Sequence, residues 1–177
     1  MWPHSWKTIA SRLVFKNPWW EYWIKEFETP SGYHGEYHFI HTNGGVVIIP
    51  VTDAGEILLI RQYRYINDNV FLEFPAGGIR EGESCIDAAH RELREETGYD
   101  ARELFEVGKF IPFLGVTDEI CWVFLGKALF YAPMKGDYQE QIEVVRLSVQ
   151  EAKATIGQIC SDGKSLAAWV LAMPYLC

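Results

Sequence analysis

Residues 77–99 read GGIREGESCIDAAHRELREETGY. Ser84 to Thr97 is predicted to be a helix: Ser84 can cap its start, with Asp87 three positions on, and Gly98 can end it. Each helical residue advances about 100°, so Ile86, Ala89 and Leu93 fall on one side as a buried stripe. Glu92 and Glu96 then flank that stripe, and Glu95 lies further round. Like charges four residues apart repel on an exposed helix, and more strongly at a desolvated edge. The nearby cations are Arg91 and Arg94, with Arg91 on a different side. Two explanations stand. One is a solvated charged face, as most glutamate runs are. The other is a seat for a divalent cation, since magnesium takes oxygen ligands, few carboxylates, and leaves places for water and phosphate oxygens. Just upstream, FPAGG leads out of a strand. Glycine lets backbone approach a ligand closely, which marks Gly77 and Gly78, and the Ala76 carbonyl offers a further oxygen.

Outward from the helix, strand-like runs alternate with turns. GVVIIPVT (45–52), EILLIRQYRY (56–65) and VFLEFPA (70–76) are expected strands, with Asp53-Ala54-Gly55 a hairpin turn between the first two. ELFEVGKFIPF (103–113), ICWVFLGKALFY (120–131) and IEVVRLS (142–148) return to strand character. Ser148 is placed to cap a helix through Ile156, and KSLAAWVLAM (164–173) is a second apolar-sided helix. Toward the N-terminus, two strands broken at Asn17-Pro18 are expected, the second running from Trp19 to Glu28. TPSGYHG (29–35) and TNGG (42–45) are turn-rich. Strands with interleaved helices give an α/β or α+β sandwich.

The 177 residues suit one domain, or one domain with an arm, and include 49% hydrophobic and 23% charged residues. The net charge of −8 argues against wrapping a nucleic-acid backbone. It is compatible with a small phosphorylated ligand, provided a metal bridges the like charges. Cys85, Cys121, Cys160 and Cys177 form no metal-ligand spacing and are expected to be free thiols. No signal peptide and no apolar run long enough to cross a bilayer is recognised, so a cytoplasmic location is expected.

The fixed positions Gly77, Glu83, Arg91, Glu92, Glu95, Glu96 and Gly98, with the intervals between them, resemble the Nudix box. Seven such residues at about one in fifteen each make a chance match on the order of 10^-8 per register. Tyr99 departs from the bulky aliphatic residue usual there. The resemblance implies an α/β/α sandwich with a mixed sheet. It also implies hydrolysis of a nucleoside diphosphate linked to another group, using Mg²⁺ or Mn²⁺. Glu92 and Glu96 become the core metal ligands, Glu95 a ligand or close support, and Arg91 an orienting residue paired with Glu83.

Beyond the box, NPWWEYW, RQYRY, LEFPAGG and GVTDE are similar to the ADP-ribose and nucleotide-sugar pyrophosphatase group. That similarity implies a homodimer in which an antiparallel strand arm, residues 1–43, helps build the partner's substrate pocket, while residues 44–177 form the hydrolase domain. Trp19 and Trp20, with Trp23, would stack on a base or bury at the interface, or pack on their own core. Arg61 and Arg64 would clamp phosphate, or pair with carboxylates such as Glu73, itself otherwise a base or ribose contact. Glu140, with Glu143 second, is expected to be the catalytic base. Gly115 and Glu119, in GVTDE, would meet the sugar. Leu114 stands where ADP-ribose hydrolases commonly carry proline, which leaves room for other nucleoside diphosphate sugars. His34, His38 and His41 receive no metal role. Two other functions remain open: a house-cleaning hydrolase of nucleoside triphosphates or dinucleoside polyphosphates, and a non-catalytic nucleotide-sugar sensor.

Overall fold

Aromatic and β-branched residues near the N-terminus build the first of two compact units in the computed structural model, which describes residues 5–136 and 141–176. This unit comprises residues up to Asn43 together with Phe113–Glu119. Its strands β1 (Lys7–Lys16), β2 (Glu21–Glu28) and β3 (His34–His41) pair antiparallel in that order. β3 lies between the two turn-rich stretches and overlaps the first only at His34 and Gly35. Its outer edge is occupied by the 113–119 segment, through Ile40 N–H to the Val116 carbonyl at 2.9 Å and His41 to Asp118 at 2.8 Å. The strand expected from Trp19 starts later, at Glu21. The Asn17 side chain accepts from the Trp19 and Trp20 amides at 2.9 and 2.8 Å, so both tryptophans lie in an Asx-type turn. β1 is exposed along all ten residues and forms an edge of the sheet.

The second unit, residues 44–112 and 120–177, is built around β4 (Gly45–Pro50), every residue of which is buried. A continuous apolar run of this kind belongs to a strand covered on both faces. The remaining strands are β5 (Glu56–Arg64), β6 (Asn69–Glu73), β7 (Ala76–Gly78), β8 (Tyr99–Phe110), β9 (Cys121–Tyr131) and β10 (Ile142–Ser148). One mixed sheet runs β7-β4-β9-β8, with β4 and β9 parallel; the other runs β10-β5-β6. The expected β4–β5 hairpin does not form. The turn closes, through Gly55 N–H to the Thr52 carbonyl, but beyond the single bridge Val51–Ile57 the two strands join different sheets. The expected strand 70–76 likewise divides at Phe74-Pro75, β6 pairing with β5 and β7 with β4. Proline has no N–H for a ladder, which accounts for a break at that point.

Helix α1 (Cys85–Thr97) packs on one face of the four-stranded sheet, where Ala88, Ala89 and Leu93 meet Val46, Ile48 and Phe124. The buried stripe therefore centres on Ala88 and Ala89; Ile86, expected within it, is exposed. Helices α2 (Val149–Ile159) and α3 (Gly163–Ala172) cover the opposite face, and Ile156, Cys160 and Trp169 enclose Val47, Ile49, Ile57, Leu59, Val123 and Leu125. The four-stranded sheet thus lies between α1 and α3, while α2 packs against β10 and β5. Ser84 caps α1, accepting from the Asp87 amide, and Gly98 ends it at φ +76°, a conformation in which glycine carries no Cβ penalty. No helix among the described residues is long and apolar enough to cross a membrane.

Candidate active site

Strand β7 and the helix that follows bring the crowded glutamates onto one short piece of backbone. Glu96 Oε2 accepts the Ala76 amide at 2.8 Å. Glu92 lies against Gly77: a Cβ at that position would stand 2.0 Å from Glu92 Oε1. A side chain at position 77 would therefore displace the Glu92 carboxylate. Glu92 and Glu96 are 9% and 6% exposed, so both carboxylates sit at the border of the core.

Arg91 organises the cluster. Its Nε and Nη2 donate to the two oxygens of Glu83 at 2.8 and 2.9 Å, a bidentate pair. Nη2 also donates to the Gly78 carbonyl at 2.8 Å, and Nη1 to Glu92 at 2.5 Å and Glu95 at 3.1 Å. All the donors a guanidinium possesses are engaged. The helical wheel placed Arg91 on a different side from the glutamates, whereas the family resemblance paired it with Glu83 as an orienting residue. Its long side chain reaches both Glu83 and Gly78 before the helix and Glu92 and Glu95 on it. The bond to Glu83 is the main cause that raises the Arg91 pKa, against burial, and the same bond lowers that of Glu83. Arg80, which the sequence reading did not single out, donates to Glu95 at 3.3 Å, while its amide donates to Glu83 at 2.9 Å. Its only signal was a cation three residues past Gly77, in the loop that folds back over the helix.

Four carboxylates (Glu83, Glu92, Glu95 and Glu96) and two guanidiniums (Arg80 and Arg91) leave these six side chains with a formal charge of −2. Among the described residues, no three His, Cys, Asp or Glu side chains make a ready metal cage. The donors that do gather on β7 are hard oxygens: Glu92, Glu96 and the backbone of Ala76. That sparse oxygen set fits a magnesium-like ion, which keeps water and substrate oxygens in its remaining positions.

The other candidates fall into separate groups. Arg64 donates to both oxygens of Glu73, at 2.8 and 2.5 Å, so Glu73 serves as its carboxylate partner. Arg61 donates to Glu143 at 2.6 Å. That pair lies on the opposite face of the β10-β5-β6 sheet from Arg64 and Glu73, because side chains alternate along a strand. Glu140 lies outside the described residues. Trp19, Trp20, Gly115 and Glu119 belong to the first unit. There Trp19 is 78% exposed, the Phe15 and Trp20 rings are 5.5 Å apart, and the Gly115 carbonyl accepts from the Tyr37 hydroxyl at 3.1 Å. His38 bonds the Tyr22 hydroxyl at 2.6 Å. Cys85, Cys121 and Cys160 are free thiols, and burial raises the Cys160 thiol to about 12.

This strand, loop and helix coincide with a region that is recognisable in other proteins. Residues 41–169 match the NUDIX domain model. The chain is 32% identical over 148 residues to the ADP-ribose pyrophosphatase of Bacillus subtilis, covering 82% of this chain and 80% of that protein. It is 28% identical over 148 residues to the methanol dehydrogenase activator of Bacillus methanolicus, with the same coverage of 82% and 80%. Its fold matches a crystal structure of an ADP compounds hydrolase with a TM-score of 0.86 at 23% identity, covering 98% of this chain and 95% of that one. Nudix hydrolases generally use a divalent metal. The glutamates drawn onto Ala76 and Gly77, the arginine that ties them together and the match across most of the chain lead to one assignment: this protein belongs to the NUDIX family of hydrolases.

Proposed function

We propose that the protein hydrolyses the pyrophosphate bond of nucleoside diphosphate sugars, ADP-ribose and ADP-glucose among them, to a nucleoside monophosphate and a sugar phosphate. The observation that carries this reading is the pair of buried carboxylates, Glu92 and Glu96, drawn onto the backbone of Gly77 and Ala76. The name of the Bacillus subtilis relative supports the substrate class. Glu92, Glu96, the Ala76 carbonyl and Glu95 would hold Mg²⁺ or Mn²⁺. When bound, that ion neutralises pyrophosphate oxygens, acts as a Lewis acid at phosphorus and orients the attacking water.

The chain's own groups do the rest. Arg91 holds Glu92 and Glu95 in register and keeps Glu83 charged. Arg64, oriented by Glu73, contacts a phosphate oxygen. Gly78 completes the phosphate contacts, while Arg61, on the other face of the sheet, stays with Glu143. Glu140 takes the proton of the attacking water as the P–O–P bridge opens. Trp19 and Trp20 stack on the base or cover it from the partner subunit, in a homodimer formed through the arm of residues 1–43. Support for the dimer comes from β1, an edge strand with exposed Ile9, Leu13 and Phe15, since a long apolar edge is a template for pairing. Free thiols support a reducing, cytoplasmic setting.

The test is a panel of nucleotide sugars, nucleoside triphosphates and dinucleoside polyphosphates with Mg²⁺ or Mn²⁺, scored for released phosphomonoester. Nucleotide sugars are expected to dominate, and Glu96→Gln is expected to lower their turnover at least a hundredfold with the circular dichroism spectrum preserved. Full activity of that variant at saturating Mg²⁺ would overturn the metal assignment; preference for triphosphates would overturn the substrate class.

A further inference from the structure

Two buried side-chain oxygens lack a hydrogen-bond partner among the described residues: Gln62 Oε1 and Asp162 Oδ2. Asp162 already has a structural task, since its other oxygen accepts the Ser165 amide at 2.8 Å and caps α3. Gln62 has none of this kind. It is 4% exposed and sits within β5. A buried carbonyl oxygen without a donor is costly and calls for an explanation.

The position of Gln62 supplies one. Along β5, Ile57 and Leu59 point into the core shared with α2 and α3. Alternation therefore puts Leu58, Ile60, Gln62 and Arg64 on the other face. That face carries the Arg64–Glu73 pair, with Glu73 opposite Ile60 on β6. Three residues beyond Glu73 is Ala76, whose amide holds Glu96, and α1 itself touches β5. Gln62 thus shares a face of the β10-β5-β6 sheet with the Arg64–Glu73 pair, next along the strand from Arg64.

The chemistry of the amide then narrows the ligand. Its oxygen only accepts, so the missing partner must donate. Phosphate oxygens of an ionised diphosphate are acceptors and do not qualify. The groups bonded directly to a diphosphate in a nucleotide sugar are its two sugars, and sugars carry hydroxyl donors; the base amine lies further off. Resting on the reading proposed above, we infer that Gln62 is a specificity-determining residue whose amide oxygen accepts a hydrogen bond from a substrate sugar hydroxyl. A site built to bond a hydroxyl rejects ligands that lack it, because its own polar group is then left unpaired.

The experiment measures binding of α,β-methylene ADP-ribose, which the enzyme does not cleave, and of methylenediphosphonate, which has no sugar. Calorimetry with Mg²⁺ held constant compares the wild-type protein with Gln62→Leu and Gln62→Met. Two variants guard against a packing fault in one, and thermal unfolding is recorded for both. Both are expected to bind the sugar-bearing ligand about tenfold more weakly, to bind methylenediphosphonate unchanged, and to unfold at the same or a higher temperature. Unchanged affinity for methylene ADP-ribose would overturn the inference. So would equal weakening for both ligands, or a lowered unfolding temperature with affinity intact, which marks a buried water as the partner. Failure of the wild-type protein to bind methylene ADP-ribose would instead overturn the broader reading of the substrate, and this inference with it.

Discussion

Arg91 is the residue on which the site's geometry turns. A guanidinium engaged at every donor, beneath Glu83, Glu92, Glu95 and the Gly78 carbonyl, fixes the orientation of three carboxylates at once. The bond from Arg91 holds Glu83 below its ordinary carboxylate range. A carboxylate with a lowered folded-state pKa contributes stability that is fully present above the unfolded pKa, and this is lost as pH falls through the folded value. Stability should therefore decline as pH drops below 4.5, and Glu83→Gln should be less stable at neutral pH but show a flatter decline over that acid range. Chemical denaturation at a series of pH values measures both. The identities of these residues were legible in the spacing of the motif, but the direction of Arg91 was not. A helical wheel places the Cβ, whereas a long flexible side chain reaches wherever its charge partners lie, here a loop glutamate eight residues away in sequence. Gln62 was illegible for a different reason, since whether a buried amide is satisfied depends on neighbours from other strands.

Among the elements, α1 is the one whose ends the sequence specified most directly. Ser84 and Gly98 act locally, through hydrogen bonds and backbone conformation within a few residues, so no tertiary context was needed to find them. Because α1 carries Glu92, Glu95 and Glu96, its N-cap supports the site indirectly. Ser84→Ala is expected to cost about 1 kcal/mol and to lower the unfolding temperature by about 2–4 °C for a chain of this size. Differential scanning calorimetry checks this, and a loss above about 2 kcal/mol would mean that Ser84 does more than cap. The strands were less legible. Their apolar runs marked β4, β5 and β9 well, but pairing is decided by partners distant in sequence. The turn at Asp53-Ala54-Gly55 forms, yet β4 is claimed by β7 and β9 and β5 by β6 and β10. A turn signal specifies a reversal of the chain, not a ladder between the strands it joins.

At the scale of the whole molecule, the chain comprises a three-stranded antiparallel unit and a layered hydrolase unit. The first was only partly legible, because β3 is a short run between two turn-rich stretches and is held by pairing with β2. If β1 joins two copies, Leu13→Asp should raise the dimer dissociation constant at least tenfold by sedimentation equilibrium, and removal of residues 1–43 should abolish dimerisation and nucleotide-sugar turnover together. A truncated protein that remains dimeric would exclude the arm as the interface. One feature of the layered unit bears on how its opening can be followed. Cys160 is enclosed by both the sheets and α3, with its thiol pushed up to about 12. Only thiolate reacts with an alkylating reagent, so at neutral pH iodoacetamide should modify this side chain only in molecules whose interior has come apart. The pace of its labelling, read by peptide mass, would then serve as a native clock for unfolding that needs no denaturant and no added probe.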